Sequence, residues 1–165
     1  MRIISGSFKG KKILPPNDKK TRPLKDLTKE SIFNIIKHSN KFKINFSNSF
    51  VLDLFSGVGS FGLECLSRDA KEVTFIEKNN QISKILKNNL DNLSLMNKSE
   101  VINGSIENYL FDIKKKYNIF FFDPPYADKE FLENLSTIKK NKIFSKDHIV
   151  IIHREKKSYD NFKDF

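Results

Sequence analysis

The most chemically specific run in this chain is Asp123-Pro124-Pro125-Tyr126, which follows the apolar stretch Ile119-Phe120-Phe121-Phe122. A residue that precedes proline is pushed out of the helical region, so Asp123 and Pro124 are both held extended. Neither proline has an N–H that could compete locally for the carbonyl oxygens. The run is therefore a rigid set of acceptors, the Asp123 carboxylate and the Pro124 carbonyl, suited to an exocyclic NH2 group. Accepting both hydrogens of that group would hold its nitrogen and turn the lone pair toward a methyl donor. Tyr126 adds a ring face on which a base can stack. Without such a ligand, the same run reads as a strand-ending turn with a capping Asp.

A second constellation lies earlier. Gly57-Val58-Gly59-Ser60-Phe61-Gly62 is a G-x-G-x-x-G that follows one apolar run and opens another. Glycine serves where the backbone must turn sharply and let a ligand approach closely. Two ligand classes fit such a loop. A dinucleotide would rest its pyrophosphate on the helix N-terminus, whereas S-adenosylmethionine would present its amino-acid end. Asp53, four residues before Gly57, favours the second, because a carboxylate there repels a pyrophosphate and suits an ammonium group. Glu77 ends the next apolar run, where its carboxylate can take both ribose hydroxyls; otherwise it is an ordinary strand-end acid.

These residues need a scaffold, and the periodicity supplies one. Val51–Phe55, Val73–Ile76, Glu100–Asn103, Ile119–Phe122 and His148–His153 read as five strands. Helices are predicted over Ser60–Arg68, 79–95, 106–114 and Asp128–Lys139. In the second of these, Ile82, Ile85, Leu86, Leu90 and Leu93 face inward. Strands alternating with helices predict a parallel, doubly wound α/β sheet. Ahead of it, Arg2–Ser5 and Lys11–Leu14 read as a β-hairpin. A helix over Leu24–Lys37 follows, capped by Asp26 or Thr28, with Ile32, Ile35 and Ile36 on its apolar face. Residues 1–48 thus form a basic hairpin and helix, and residues 49–165 the ligand-binding core, together one compact domain.

Charge divides the chain the same way. Residues 1–50 carry 12 Lys/Arg against 3 Asp/Glu, while residues 51–165 carry 18 against 17. A basic arm on a near-neutral body points to a polyanion partner, since each phosphate contact releases counterions. The lone cysteine, Cys65, excludes a disulfide framework and a multi-Cys zinc site. His38, His148 and His153 have no metal-ligand spacing and read as surface or strand-end residues, so no metal is expected. No secretory signal or membrane-length apolar stretch is present in the sequence, which predicts a soluble cytoplasmic protein.

Asp53-Leu54-Phe55-Ser56-Gly57-Val58-Gly59-Ser60-Phe61-Gly62-Leu63-Glu64, paired with Asp123-Pro124-Pro125-Tyr126, resembles class I S-adenosylmethionine-dependent methyltransferases that act on exocyclic amines. Arg2-Ile3-Ile4-Ser5-Gly6, Lys9-Gly10, Thr21-Arg22-Pro23 and Lys29-Glu30-Ser31-Ile32-Phe33-Asn34 narrow the resemblance to the RsmD family, over Met1 to about His153. That resemblance implies a Rossmann-like fold with an N-terminal hairpin extension, and N2-methylation of guanine 966 of 16S rRNA, naked or in the assembled small subunit, by a monomer. It places catalysis at Asp123, Pro124, Pro125 and Tyr126. Cofactor contacts fall at Asp53, Phe55, Ser56, Gly57, Gly59, Glu77, Lys78, Ser105 and Ile106. Arg2, Lys9, Lys11, Lys12 and Arg22 would meet RNA.

The sequence departs from the family at three places. Gly104 is followed by Ser105 where members commonly carry an acid, Ile152-His153 stands in place of Glu-His, and the family's closing strands are lacking. The last departure predicts a shortened or incomplete copy with an unprotected sheet edge. Three other functions compete. A DNA adenine-N6 methyltransferase shares the amine logic, an NAD-dependent oxidoreductase shares the glycine loop, and an inactive RNA-binding relative shares the basic arm.

Overall fold

β1 (Phe50–Asp53) occupies the centre of a five-stranded, all-parallel sheet. It pairs with β2 (Glu72–Ile76) on one side and with β4 (Tyr117–Phe122) on the other. β3 (Ser99–Ile102) lies beyond β2, and β5 (Phe144–Ile152) beyond β4, so the order is β3-β2-β1-β4-β5. This computed structural model describes residues 1–16, 24–39, 43–155, 157–158 and 160–162. The chain winds outward from β1 to β3 and then crosses back to β4. In open parallel sheets, ligands bind at the strands' carboxyl ends where that reversal occurs. Asp53, the last residue of β1, is registered against Phe121 of β4. The two runs singled out from sequence therefore leave adjacent strands at the same end.

The helices are α1 (Asp26–His38), α2 (Ser60–Ser67), α3 (Asn80–Asn92), α4 (Ile106–Phe111) and α5 (Phe131–Asn141). Both sheet faces are covered, which is why the strands read as continuous apolar runs. Successive side chains alternate between faces. Phe121 joins the core with α1, α2 and α3, whereas Phe120 and Phe122 join the core with α4 and α5. On the first face, Phe121 stacks on Phe61 at 3.9 Å, Phe61 on Phe33 at 5.3 Å, and Phe33 meets Phe46 at 5.1 Å. At Gly62, a Cβ would lie 2.2 Å from the Phe75 ring, so this third glycine permits close helix–strand packing.

The N-terminal arm is fastened to α2. Glu64 is fully buried and accepts the backbone N–H of Ile4 at 2.7 Å and of Ser5 at 2.9 Å. Arg68 neutralises it from 3.0 Å and also lies over the Phe33 ring. Ser67 Oγ donates to the Ser5 carbonyl and accepts from the Phe8 N–H. Gly6 (φ 83°) makes this contact possible, since a Cβ there would overlap the Ser67 carbonyl.

Several sequence expectations change. The hairpin is an antiparallel bridge, Arg2 with Lys12, not two full strands, because the N–H groups of Ile4 and Ser5 turn to Glu64 of α2. Neither predicted residue caps α1; Asp26 is its first residue and Lys25 precedes it. Its buried side is Lys29, Phe33 and Ile36, while Ile35 is exposed. Lys29 is buried because its ammonium donates to the Arg2 carbonyl at 2.6 Å and lies 3.3 Å from Asp26. One charge of the basic arm is thus internal. α5 starts at Phe131, because Asp128 instead closes a turn by accepting the Glu130 N–H. β5 begins at Phe144 and forms one edge of the sheet.

Candidate active site

A cleft of about 530 Å³ opens at the carboxyl ends of β1, β2 and β4. Asp53, Phe55, Ser56, Gly57, Glu77, Lys78, Ser105, Ile106, Asp123, Pro124, Pro125 and Tyr126 all line it. Gly59 does not line it. Its φ of 87° starts α2, and a Cβ there would meet Leu86 of α3 at 2.4 Å, so this glycine serves the turn and its packing. Arg2, Lys9, Lys11 and Lys12 are exposed on the arm, away from the cleft lining. Arg22, with Thr21 and Pro23, lies outside the described residues.

Asp53 forms part of the cleft floor. One carboxylate oxygen accepts the Gly62 N–H at 3.1 Å, and the other is buried without a hydrogen-bond partner among the described residues. Burial pushes its pKa up to about 8, the Gly62 N–H opposes the rise, and the Asp123 and Glu77 carboxylates add to it. The hydroxyl of Ser60 is likewise buried, unpartnered and part of the lining. An unmade hydrogen bond in such a place costs about 1–3 kcal/mol, which a ligand can recover. Ser60 was not singled out from the sequence; its signal is a hydroxyl directly after the second glycine of the loop.

Glu77 splints the loop. Its carboxylate accepts the Gly57 N–H at 2.9 Å and the Asn79 N–H at 2.8 Å. Asn103 donates to the Glu77 carbonyl at 2.9 Å and holds the β2 end from the β3 side. Ser105 spends its side chain capping α4, accepting the Asn108 N–H. Three acids, Asp53, Glu77 and Asp123, thus surround one cleft. Glu77 and Asp123 disfavour a pyrophosphate, and the buried Asp53 carboxyl suits a cation that draws off its proton. These acceptors fit S-adenosylmethionine, which carries an ammonium, a sulfonium and ribose hydroxyls.

The acceptor run is braced from β5 and beyond. His153 Nδ1 lies 2.8 Å from Asp123 Oδ1. Arg154 donates to the carbonyls of Pro125 and Tyr126, each at 3.0 Å, and pairs with Asp160 at 2.9 Å. Its guanidinium also covers the Phe131 ring. The Pro125 carbonyl takes the Asp128 N–H as well. Among the described residues the Pro124 carbonyl has no hydrogen-bond partner. From sequence His153 reads as a surface or strand-end residue, and nothing there marks Arg154. Both contacts span about thirty residues of sequence, and no local spacing announces them.

Among the described residues, no group of His, Cys, Asp and Glu could hold a metal ion, and no helix is long and apolar enough to cross a membrane. Cys65 is buried, and burial pushes its thiol pKa up.

Comparison with known proteins places the chain in a family. The profile of a family described as conserved hypothetical protein 95 matches residues 1–164. Ribosomal RNA small subunit methyltransferase D of Haemophilus influenzae is 32% identical over 159 residues, covering 94% of this chain and 79% of that protein. The Escherichia coli K12 protein of the same name is 30% identical over 155 residues, covering 94% and 75%. The solved structure of Escherichia coli yhhF, provisionally described as a methyltransferase, superposes with a TM-score of 0.79 at 28% identity, over 92% of this chain and 78% of that one. With its cleft at the sheet reversal, its glycine loop and its Asp-Pro-Pro-Tyr run, the chain belongs to the RsmD-type family of ribosomal RNA small subunit methyltransferases.

Proposed function

We propose that this protein methylates the exocyclic N2 amine of a guanine in 16S rRNA, using S-adenosylmethionine, and that the target is guanine 966. One observation carries the reading. The Asp123-Pro124-Pro125-Tyr126 run and the Asp53–glycine loop line a single cleft, in a chain whose relatives are named for small subunit rRNA methylation.

Asp53, with the Gly57 and Ser56 backbone, would hold the amino-acid end of the cofactor, and Glu77 its ribose. When bound, S-adenosylmethionine supplies an electrophilic methyl group. The target guanine is splayed from its loop to reach the pocket, as base-modifying enzymes require. Asp123 and Pro124 accept the two amine hydrogens, and Tyr126, 40% exposed at the cleft mouth, supports the ring. The amine lone pair is delocalised into the purine, so alignment is the main contribution. Well-oriented reactants gain up to roughly 7–11 kcal/mol from it. The departing proton is acidic only once the new N–C bond forms, so Asp123 need not be a strong base.

Arg2, Lys9, Lys11 and Lys12 would contact phosphates, which positions RNA without reading its sequence. The protein would act as a monomer in the cytoplasm. The test is incubation with labelled S-adenosylmethionine and small ribosomal subunits that lack the modification. Label in the RNA supports the reading; unlabelled RNA, with cofactor bound, overturns it.

A further inference from the structure

Asn89 of α3 lies outside the cleft, yet it touches both the arm and the glycine loop. Its side chain is buried. Oδ1 accepts the Leu14 N–H at 2.8 Å, and Nδ2 donates to the Leu14 carbonyl at 3.3 Å and to the Val58 carbonyl at 3.1 Å. The amide thus pairs with both backbone groups of one arm residue, Leu14, while it also donates to a carbonyl inside the loop. The reverse amide orientation would set oxygen against two carbonyls, so the network fixes which way it points. Leu86, one turn earlier on α3, packs against Gly59 of the same loop. Two residues beyond Leu14 the arm reaches the cleft itself. Pro16 lines it, as does Leu24 just ahead of α1.

We infer that Asn89 is a positioning residue for the cofactor site, and that through it the N-terminal arm is a working part of that site. The inference rests on the reading of the cleft as an S-adenosylmethionine site. If the loop binds best when Val58 is held by Asn89, and Asn89 is held by Leu14, then cofactor and arm support one another. Linkage makes the effect reciprocal: whatever the arm adds to cofactor affinity, the cofactor returns to the arm. The arm that would meet RNA phosphates then also reports to the cofactor loop.

The test measures binding, not turnover. S-adenosylhomocysteine is titrated calorimetrically into wild-type protein and Asn89→Ala, and amide exchange is followed with and without it. In the wild type, the ligand should slow exchange at residues 11–14 as well as in the glycine loop. In Asn89→Ala the dissociation constant should rise at least about five-fold, the lower end of ordinary coupling between sites, and the slowing at residues 11–14 should vanish. Asn89→Asp keeps the acceptor for the Leu14 N–H but loses the donors to the Leu14 and Val58 carbonyls, so it should weaken binding and abolish the ligand-induced slowing at residues 11–14, while the Leu14 N–H stays protected in the ligand-free protein. A variant that only loosened the fold would lower thermal stability without moving the affinity of the protein that remains folded. The wild-type exchange experiment needs no variant, so a misfolded substitution leaves it decisive. Binding by the wild type with unchanged exchange at residues 11–14, or equal affinity in Asn89→Ala, overturns the inference alone. Failure of the wild type to bind S-adenosylhomocysteine overturns the cofactor reading and the inference with it.

Discussion

His153 Nδ1 stands 2.8 Å from Asp123 Oδ1, each the first residue past the end of one of two paired strands, β5 and β4. The register brings them together. The His153 N–H donates to the Phe122 carbonyl at 2.8 Å, so the ladder between β4 and β5 continues to the residue beside Asp123. The imidazole therefore restrains the carboxylate through one of its oxygens. His153→Ala should lower turnover at least about ten-fold, equivalent to ~1.4 kcal/mol, with cofactor affinity unchanged. Combined with Asp123→Ala it should add little, because the two residues act as a unit. A single variant within two-fold of wild type, or full additivity of the pair, contradicts the relationship.

Asp123→Ala removes the acceptor itself. Turnover should fall below about a tenth of wild type, a loss of at least ~1.4 kcal/mol of transition-state stabilisation. Titration with S-adenosylhomocysteine should show binding largely intact, since the glycine loop and Glu77 remain. Retention of more than that tenth of activity would show that the amine is held elsewhere.

Asp53 makes cofactor binding depend on pH. In the ligand-free protein burial raises its pKa to about 8, whereas an unfolded Asp titrates near 4. Between those values the folded state holds the extra proton, so this group makes stability fall as pH rises from about 4 to about 8. A cationic ligand favours the carboxylate and expels the proton. Calorimetry at pH 7, in buffers of different ionisation enthalpy, should show release approaching about one proton per site. Asp53→Asn should remove that release. Equal release in both proteins assigns the proton to another group.

Glu64 tests the attachment of the arm. Its carboxylate serves two backbone N–H groups and Arg68 while fully buried. Glu64→Ala strands all three and should cost roughly 2–5 kcal/mol, read as a lower urea midpoint. Glu64→Gln keeps one acceptor and should cost less. A loss under about 0.5 kcal/mol, the range of ordinary surface changes, means that the arm does not depend on this anchor.

The strands and helices of the core were legible because each is a local periodicity. The cleft was legible because Asp53 and Asp123 end adjacent runs in a winding pattern with few solutions. What failed shares a physical cause. On α1, the triplet Lys29, Phe33 and Ile36 has a helical spacing as good as that of Ile32, Ile35 and Ile36, and a lysine argues against burial until the Arg2 carbonyl and Asp26 are seen beside it. Glu64, Asn89, His153 and Arg154 each reach backbone or carboxylate groups 28 to 75 residues away. Hydrogen bonds of that span leave no pattern in one chain. Gly59 belongs to a recognisable loop, but only packing shows that its open side faces Leu86 and not a ligand.

The central claim is that this cleft methylates an exocyclic guanine amine. The direct measurement is identification of the labelled nucleoside after methyl transfer from S-adenosylmethionine to unmodified small subunits, followed by complete digestion of the RNA. The account predicts N2-methylguanosine, from a single site at guanine 966. Label in a methylated adenine, on a ring nitrogen, or spread over many positions would contradict it.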